Sequence, residues 1–264
     1  MSGWGGGSID FRSSHILGQT PGGGKPLAIS CHCDDIQILE APFLCWDRKR
    51  PYTFRTAAAP LELVSTNAND NATGTGARAV LIETLDGNYL EQSQIVIPNG
   101  LTPVQLTGTH LYLHVNKALV IDAGSAHTNL GNIQIRTPGT AGQDNHVQGF
   151  IKNNISVMRA ILFTAPAGHH GMLDRVYVQT NNPGGIIATV KVSYLTRLVT
   201  GVIVDSQDFY FHSPMTPPSM IILDTGCIFP EKSTFHVTLS SASANGALFS
   251  LMLAGWLIND THLK

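Results

Sequence analysis

Side chains able to do chemistry are present in this chain, but their spacing rarely assembles them. Four cysteines and eleven histidines are the first candidates. Cys31-His32-Cys33 brings two thiols and an imidazole together, and Cys45 or Cys227 could complete a ligand set. A structural zinc site draws paired ligands from two places, normally as CxxC, so an isolated CxC reads as small buried side chains instead. His110 and His114 would share one face of a regular strand, because a step of four is even there. Such a pair on a polar sheet face reads as solvated. His169-His170 follows Pro166-Ala167-Gly168 and reads as an exposed loop tip. Asp34-Asp35, Asp174, Asp205 and Asp208 show no paired-carboxylate spacing of the kind acid–base chemistry uses. No GxSxG, HExxH or P-loop pattern occurs, and Gly74-Thr75-Gly76 precedes a strand rather than opening a helix. Asn71-Ala72-Thr73 matches the glycosylation pattern but is silent without a secretory route. The expectation is a protein with no catalytic centre, no metal and no cofactor.

Composition narrows the classes further. The chain has 264 residues, 43% of them hydrophobic, which excludes wholesale disorder and supplies a real core. Only 13% are charged, about half the usual ~25%, and the net charge is -2. A nucleic-acid binder needs clustered Lys and Arg. Here the one basic cluster is Arg48-Lys49-Arg50, which reads as a solvated loop. Ala247 to Ile258 is broken by Ser250 and Gly255 and falls short of the ~20 residues that span a bilayer. The first residues carry no basic-then-apolar leader, so synthesis in a cytoplasm, with reduced thiols, is expected. Neither nucleic acid nor membrane is an expected partner.

Two kinds of segment would have to position whatever site exists. Residues 1–35 are Gly-rich and aperiodic, bracketed by Gly5-Gly6-Gly7 and Gly22-Gly23-Gly24. Such chain cannot recover its ordering entropy alone, so it reads as an interaction arm held by a neighbouring subunit. Its sizeable apolar groups, Trp4, Ile9, Phe11, Ile16 and Leu17, are the expected anchors. From 36 to 264 short apolar runs alternate with turns at ~8–12-residue spacing, the pattern of an all-β sandwich or barrel. Asp86-Gly87-Asn88, between Arg78–Thr84 and Tyr89–Ile97, predicts a hairpin tip at which Gly87 supplies the positive φ. Trp256, in an apolar strand, is expected in the core. The stretch from Thr137 to Gly149 reads as loop. It leaves open one sandwich or two, about 36–138 and 150–264. No capped stretch of helical period stands out.

The order of motifs resembles a widespread family of tailed-bacteriophage virion proteins. The likeness runs from Tyr52-Thr53-Phe54 and Leu61-Glu62-Leu63-Val64-Ser65 through Gly74-Thr75-Gly76-Ala77-Arg78 and Leu85-Asp86-Gly87-Asn88-Tyr89. It continues at Pro98-Asn99-Gly100, at Ala123-Gly124-Ser125, and at Thr128-Asn129-Leu130-Gly131-Asn132. In the second half Thr164-Ala165-Pro166-Ala167-Gly168 and Pro230-Glu231-Lys232-Ser233 sit where similar proteins carry two characteristic turns. Ser233-Thr234 stands where Thr-Asp would be expected, and the Gly-rich arm is longer. The resemblance implies a non-enzymatic virion component: a capsid cement or decoration protein, or else a tail, neck or baseplate subunit. A receptor- or carbohydrate-binding module is the less favoured class, since the loops lack clustered aromatics. The expected fold is an antiparallel, jelly-roll-like β-sandwich with an N-terminal arm. The expected partners are further copies of the chain, as a trimer, and the major capsid protein or other virion proteins.

Overall fold

The computed structural model describes residues 25–36, 43–44, 46–48, 52–107, 111–143, 146–180, 186–197, 203–215, 220–242 and 247–259. The expected arm anchors Trp4, Ile9, Phe11, Ile16 and Leu17 lie outside these, as do Cys45 and His110; the side chains of Cys31, Cys33 and Cys227 are also outside the description.

Regular structure among the described residues is almost wholly β, paired antiparallel in four sheets. The first runs β5 (Glu91–Val96), β4 (Ala77–Asp86), β7 (Tyr112–Ala123). The second runs β6 (Val104–Gln105), β3 (Glu62–Ser65), β8 (Ile133–Arg136), β9 (Val147–Ile151). Their inner faces close on one core that includes Leu63, Val80, Ile82, Val115, Ile133 and Ile135, all fully buried. The two-residue alternation of β4 and β5 produces this. Val80, Ile82 and Val96 point inward, while Ser93 and Ile95 point out. Each such aliphatic side chain contributes about 1.5–3 kcal/mol by leaving water.

The other two sheets come from both ends of the chain. One runs β1 (Lys25–Ile36), β16 (Ala247–Asn259), β11 (His169–Thr180), β14 (Met220–Phe229). The other runs β10 (Leu162–Thr164), β15 (Ser233–Ala242), β12 (Ile186–Arg197), β13 (Ile203–Met215), with β2 (Phe43–Leu44) also paired to β15. Residues 25–35, read from sequence as the end of the arm, therefore lie in β1, paired with β16 from Lys25↔Leu257 onward. Trp256 is in the core, as expected. A ladder of rings ties the two halves. Trp46 meets Tyr52 edge-on at 5.4 Å, Tyr52 meets Phe54 at 5.0 Å, and Phe54 reaches His236 of β15 at 5.2 Å.

Two local readings need correction. The β4–β5 hairpin forms at Asp86-Gly87, but its left-handed residue is Tyr89 (φ 64°), not Gly87. Tyr89 N donates to Asp86 O and Asp86 N to Leu90 O, while the Asp86 carboxylate accepts from Asn88 N and Leu90 N. This is a three-residue loop in which the αL position follows the turn. Burial of the Tyr89 ring against Leu85 and Leu113 holds the bulky residue there. The segment 137–149 is not loop throughout: β9 begins at Val147 and is buried along its length. Gly139 and Gly142, both at positive φ, give a loop signal that stops short of the apolar run Val147–Ile151.

Gly171 on β11 has no room for a side chain, since a Cβ would sit 1.9 Å from the Phe229 ring, itself stacked on Phe235 at 5.6 Å. Gly171→Ala is expected to lower stability by about 1–3 kcal/mol through overpacking, measured as a fall in the urea midpoint.

Candidate functional site

Among the described residues, those the sequence offered for chemistry do not assemble. His114 is buried in β7 with its ring 6.5 Å from that of Tyr89, and is not the solvated residue expected. His169 and His170 are half-buried at the start of β11, not at a loop tip, and His169 Nδ1 lies 3.2 Å from Ala167 O. Among the described residues no group of three His, Cys, Asp or Glu is placed to hold a metal ion. Arg48, expected in solvent, is half-buried over the Trp46 ring at 5.7 Å.

What does assemble is a knot of loops at one end of the first two sheets, centred on Asp70. Its fully buried carboxylate accepts four hydrogen bonds: from Ala77 N (2.8 Å) and Leu130 N (2.9 Å) on Oδ1, and from Ser65 Oγ (2.5 Å) and Gly131 N (2.8 Å) on Oδ2. It thereby welds the 65–77 loop to the 128–131 loop. Asn129 reinforces the join, its Nδ2 donating to Gly131 O and Lys152 O. The glycines are small because backbone passes at contact distance. A Cβ on Gly76 would sit 2.0 Å from Asp70 Oδ1, and one on Gly124 2.3 Å from Gly74 O. With every lone pair of Asp70 engaged, the knot holds structure and leaves no base or ligand free.

The same logic joins two turns of the second half, at 165–168 and 230–233. Gly168 N donates to Glu231 Oε2 at 2.7 Å, Lys232 N donates to Ala165 O, and Ala165 N donates to Ser233 O. Ser233 and Thr234 are both buried, with the Thr234 and Thr164 hydroxyls 3.0 Å apart.

Tyr52 donates its hydroxyl to Gln148 Oε1 at 3.0 Å, and burial pushes its ionisation well above the usual range despite the nearby Arg55. Burial lowers the pKa of Arg55, whose Nη1 donates to Ala59 O and Tyr112 O. Because the unfolded Tyr52 releases its proton near pH ~10 and the folded one does not, this group's contribution to stability falls as pH rises above ~10. Tyr52→Phe is expected to flatten that alkaline loss, read from melting temperatures between pH 8 and 11.

The remaining feature is an open apolar face. On the outer side of the first sheet Ile95 stands opposite Leu81, and Leu81 opposite Leu119. Ile97 and Ile121 extend the stripe, with Ile95, Ile97 and Ile121 exposed to 62%, 56% and 45%. Further along, the face turns polar: Lys117 pairs with Glu83 at 3.1 Å and Lys25 with Glu91 at 2.8 Å. β5 is an edge strand, paired only to β4 among the described residues. Alternation in β5 and β7 could have revealed this stripe from sequence, since both faces of these strands carry aliphatics.

No protein-family model and no curated protein sequence matches the chain. Among solved structures it is similar to particles of infectious bursal disease virus. Against the T13 viral particle the identity is 9% over 77% of this chain and 69% of that chain, with a TM-score of 0.29. Against the VP2 subviral particle the identity is 8% over 96% of this chain and 78% of that chain, with a TM-score of 0.28. At such scores the likeness is slight.

Proposed function

We propose that this protein is a non-enzymatic structural component of a tailed-phage virion, and within it a capsid cement or decoration protein that stabilises the head. The observation that carries this reading is the uncovered stripe of Ile95, Ile97 and Ile121 on a sheet face otherwise able to fold around its own core. Contiguous exposed aliphatics of this kind mark association surfaces. In a chain with 13% charged residues, that association is expected to run on apolar burial rather than on ion pairs. The occupant is a second copy of the chain, in a trimer, and the arm 1–24 adds contacts across neighbours through Trp4 and the other anchors. Arm and face together multiply weak pairings. The resemblance of its order of motifs to phage virion proteins supports the same class.

The test is copy number in purified particles, counted before and after tails are removed. Hundreds of copies that stay with the heads are expected. A few tens or fewer, lost with the tails, would assign the protein to the tail, neck or baseplate instead.

A further inference from the structure

We propose that β5 takes up the arm of a neighbouring copy as an added strand, residues 9–15 of the arm running antiparallel to residues 91–97. This rests on the self-association proposed above and names its contact. β5 is the outer strand of its sheet, with β4 its one neighbour among the described residues. Its six residues, Glu91-Gln92-Ser93-Gln94-Ile95-Val96, pair with β4 without a bulge and include no lysine, arginine or proline. Those residues and bulges are the devices that keep an edge from pairing, so this edge is left open to a further strand. An extended segment laid along it gains main-chain hydrogen bonds, and its alternate side chains set the register.

The occupant follows from where the arm begins and what it carries. Residues 1–24 lie outside the described residues and join the fold at Lys25. Lys25 Nζ donates to Glu91 Oε2 at 2.8 Å, so the root of the arm lies at the first residue of the open edge. The exposed Ile95 and Ile97 stand on that edge too. Copies that pack through this stripe bring the root of one to the edge of the next. Residues 17–24, between root and paired segment, span about 26 Å when extended at ~3.3 Å per residue. One antiparallel register then matches the two chains. Ile9 falls opposite Ile97, Phe11 opposite Ile95 and Ile16 opposite Leu90, all three partners being exposed. Phe11 against Ile95 is an aromatic–β-branched pair, a favourable cross-strand combination. On the other face Arg12 and Ser14 fall opposite Gln94 and Gln92. That face is polar at the edge, since Gln94 Nε2 donates to Tyr112 Oη at 2.8 Å and its Oε1 accepts from Thr107 N at 3.0 Å. A slip of one residue would turn Phe11 onto this polar side.

The experiment is disulfide trapping in the full chain. Ser13 and Ser93 fall opposite each other in this register, and both can become cysteine without loss of an apolar anchor. Chains carrying Ser13→Cys are mixed with chains carrying Ser93→Cys and oxidised with copper–phenanthroline. A mixture of Ser13→Cys with Ile228→Cys, an exposed position on β14, gives the background, native cysteines included. Bond formation between unlike chains at least about tenfold above background is expected, because strand pairing raises the local thiol concentration. Adding Phe11→Ser to the Ser13→Cys chain is expected to lower that yield at least about fivefold by removing the pair with Ile95. The proposal is overturned by a yield at background, by a yield that Phe11→Ser leaves unchanged, or by a bond that forms only within a single chain carrying both cysteines. Sedimentation equilibrium of the parent keeps the two readings apart. Association without the bond overturns the added strand alone, whereas a parent that stays monomeric overturns self-association together with it.

Discussion

Replacing Asp70 with alanine is expected to lower the unfolding free energy by about 3–5 kcal/mol, a large share of the ~5–15 kcal/mol of an ordinary domain. The carboxylate is the common acceptor for Ala77 N, Leu130 N, Gly131 N and Ser65 Oγ, and the backbone donors around it are not replaced by water in so tight a knot. Each buried donor left without a partner costs about 1–3 kcal/mol. Asp70→Asn keeps the shape but turns one acceptor into a donor facing N–H groups, so it is expected to destabilise by about half as much. Urea unfolding with an unchanged m-value measures both. A loss below about 1 kcal/mol for Asp70→Ala would mean that the two loops hold together without it.

The second large effect concerns assembly and leaves folding aside. Ile95→Lys with Ile97→Lys is expected to convert the protein to monomer at concentrations where the parent associates, read by sedimentation equilibrium. The melting temperature of the isolated chain is expected to move little, because both side chains project away from the core and exposed substitutions usually cost within about 0.5 kcal/mol each. Lysine on an edge strand is also the ordinary device against edge-to-edge pairing. Association unchanged by the double substitution would place the interface elsewhere.

Much of the fold was legible in the chain, and for a plain reason. Strand and turn are local, so the β4–β5 hairpin and the β16 run announce themselves in alternation and in Asp-Gly. Where a tertiary contact decides, local signals mislead. Tyr89 takes the left-handed position because the Leu85–Leu113 pocket holds its ring, which nothing in Asp86-Gly87-Asn88-Tyr89 announces. β1 has little local signal because its partner, β16, lies more than two hundred residues away. The Asp70 knot is the sharpest case. Its four donors come from positions 65, 77, 130 and 131, and in sequence Asp70 is one more polar residue in an Asn-rich loop. The histidines misled in the opposite sense: type suggested chemistry, while packing uses His114 as a buried ring beside Tyr89.

The central claim is that the chain is a particle subunit held by apolar burial. Its most direct test is the number of copies retained on purified particles as salt is raised to 1 M. Charge pairs between exposed groups are screened within ~3 Å at that ionic strength, while apolar burial is not weakened. A high copy number that does not fall with salt is expected. Absence from the particles, or stepwise release as salt rises, would contradict the account.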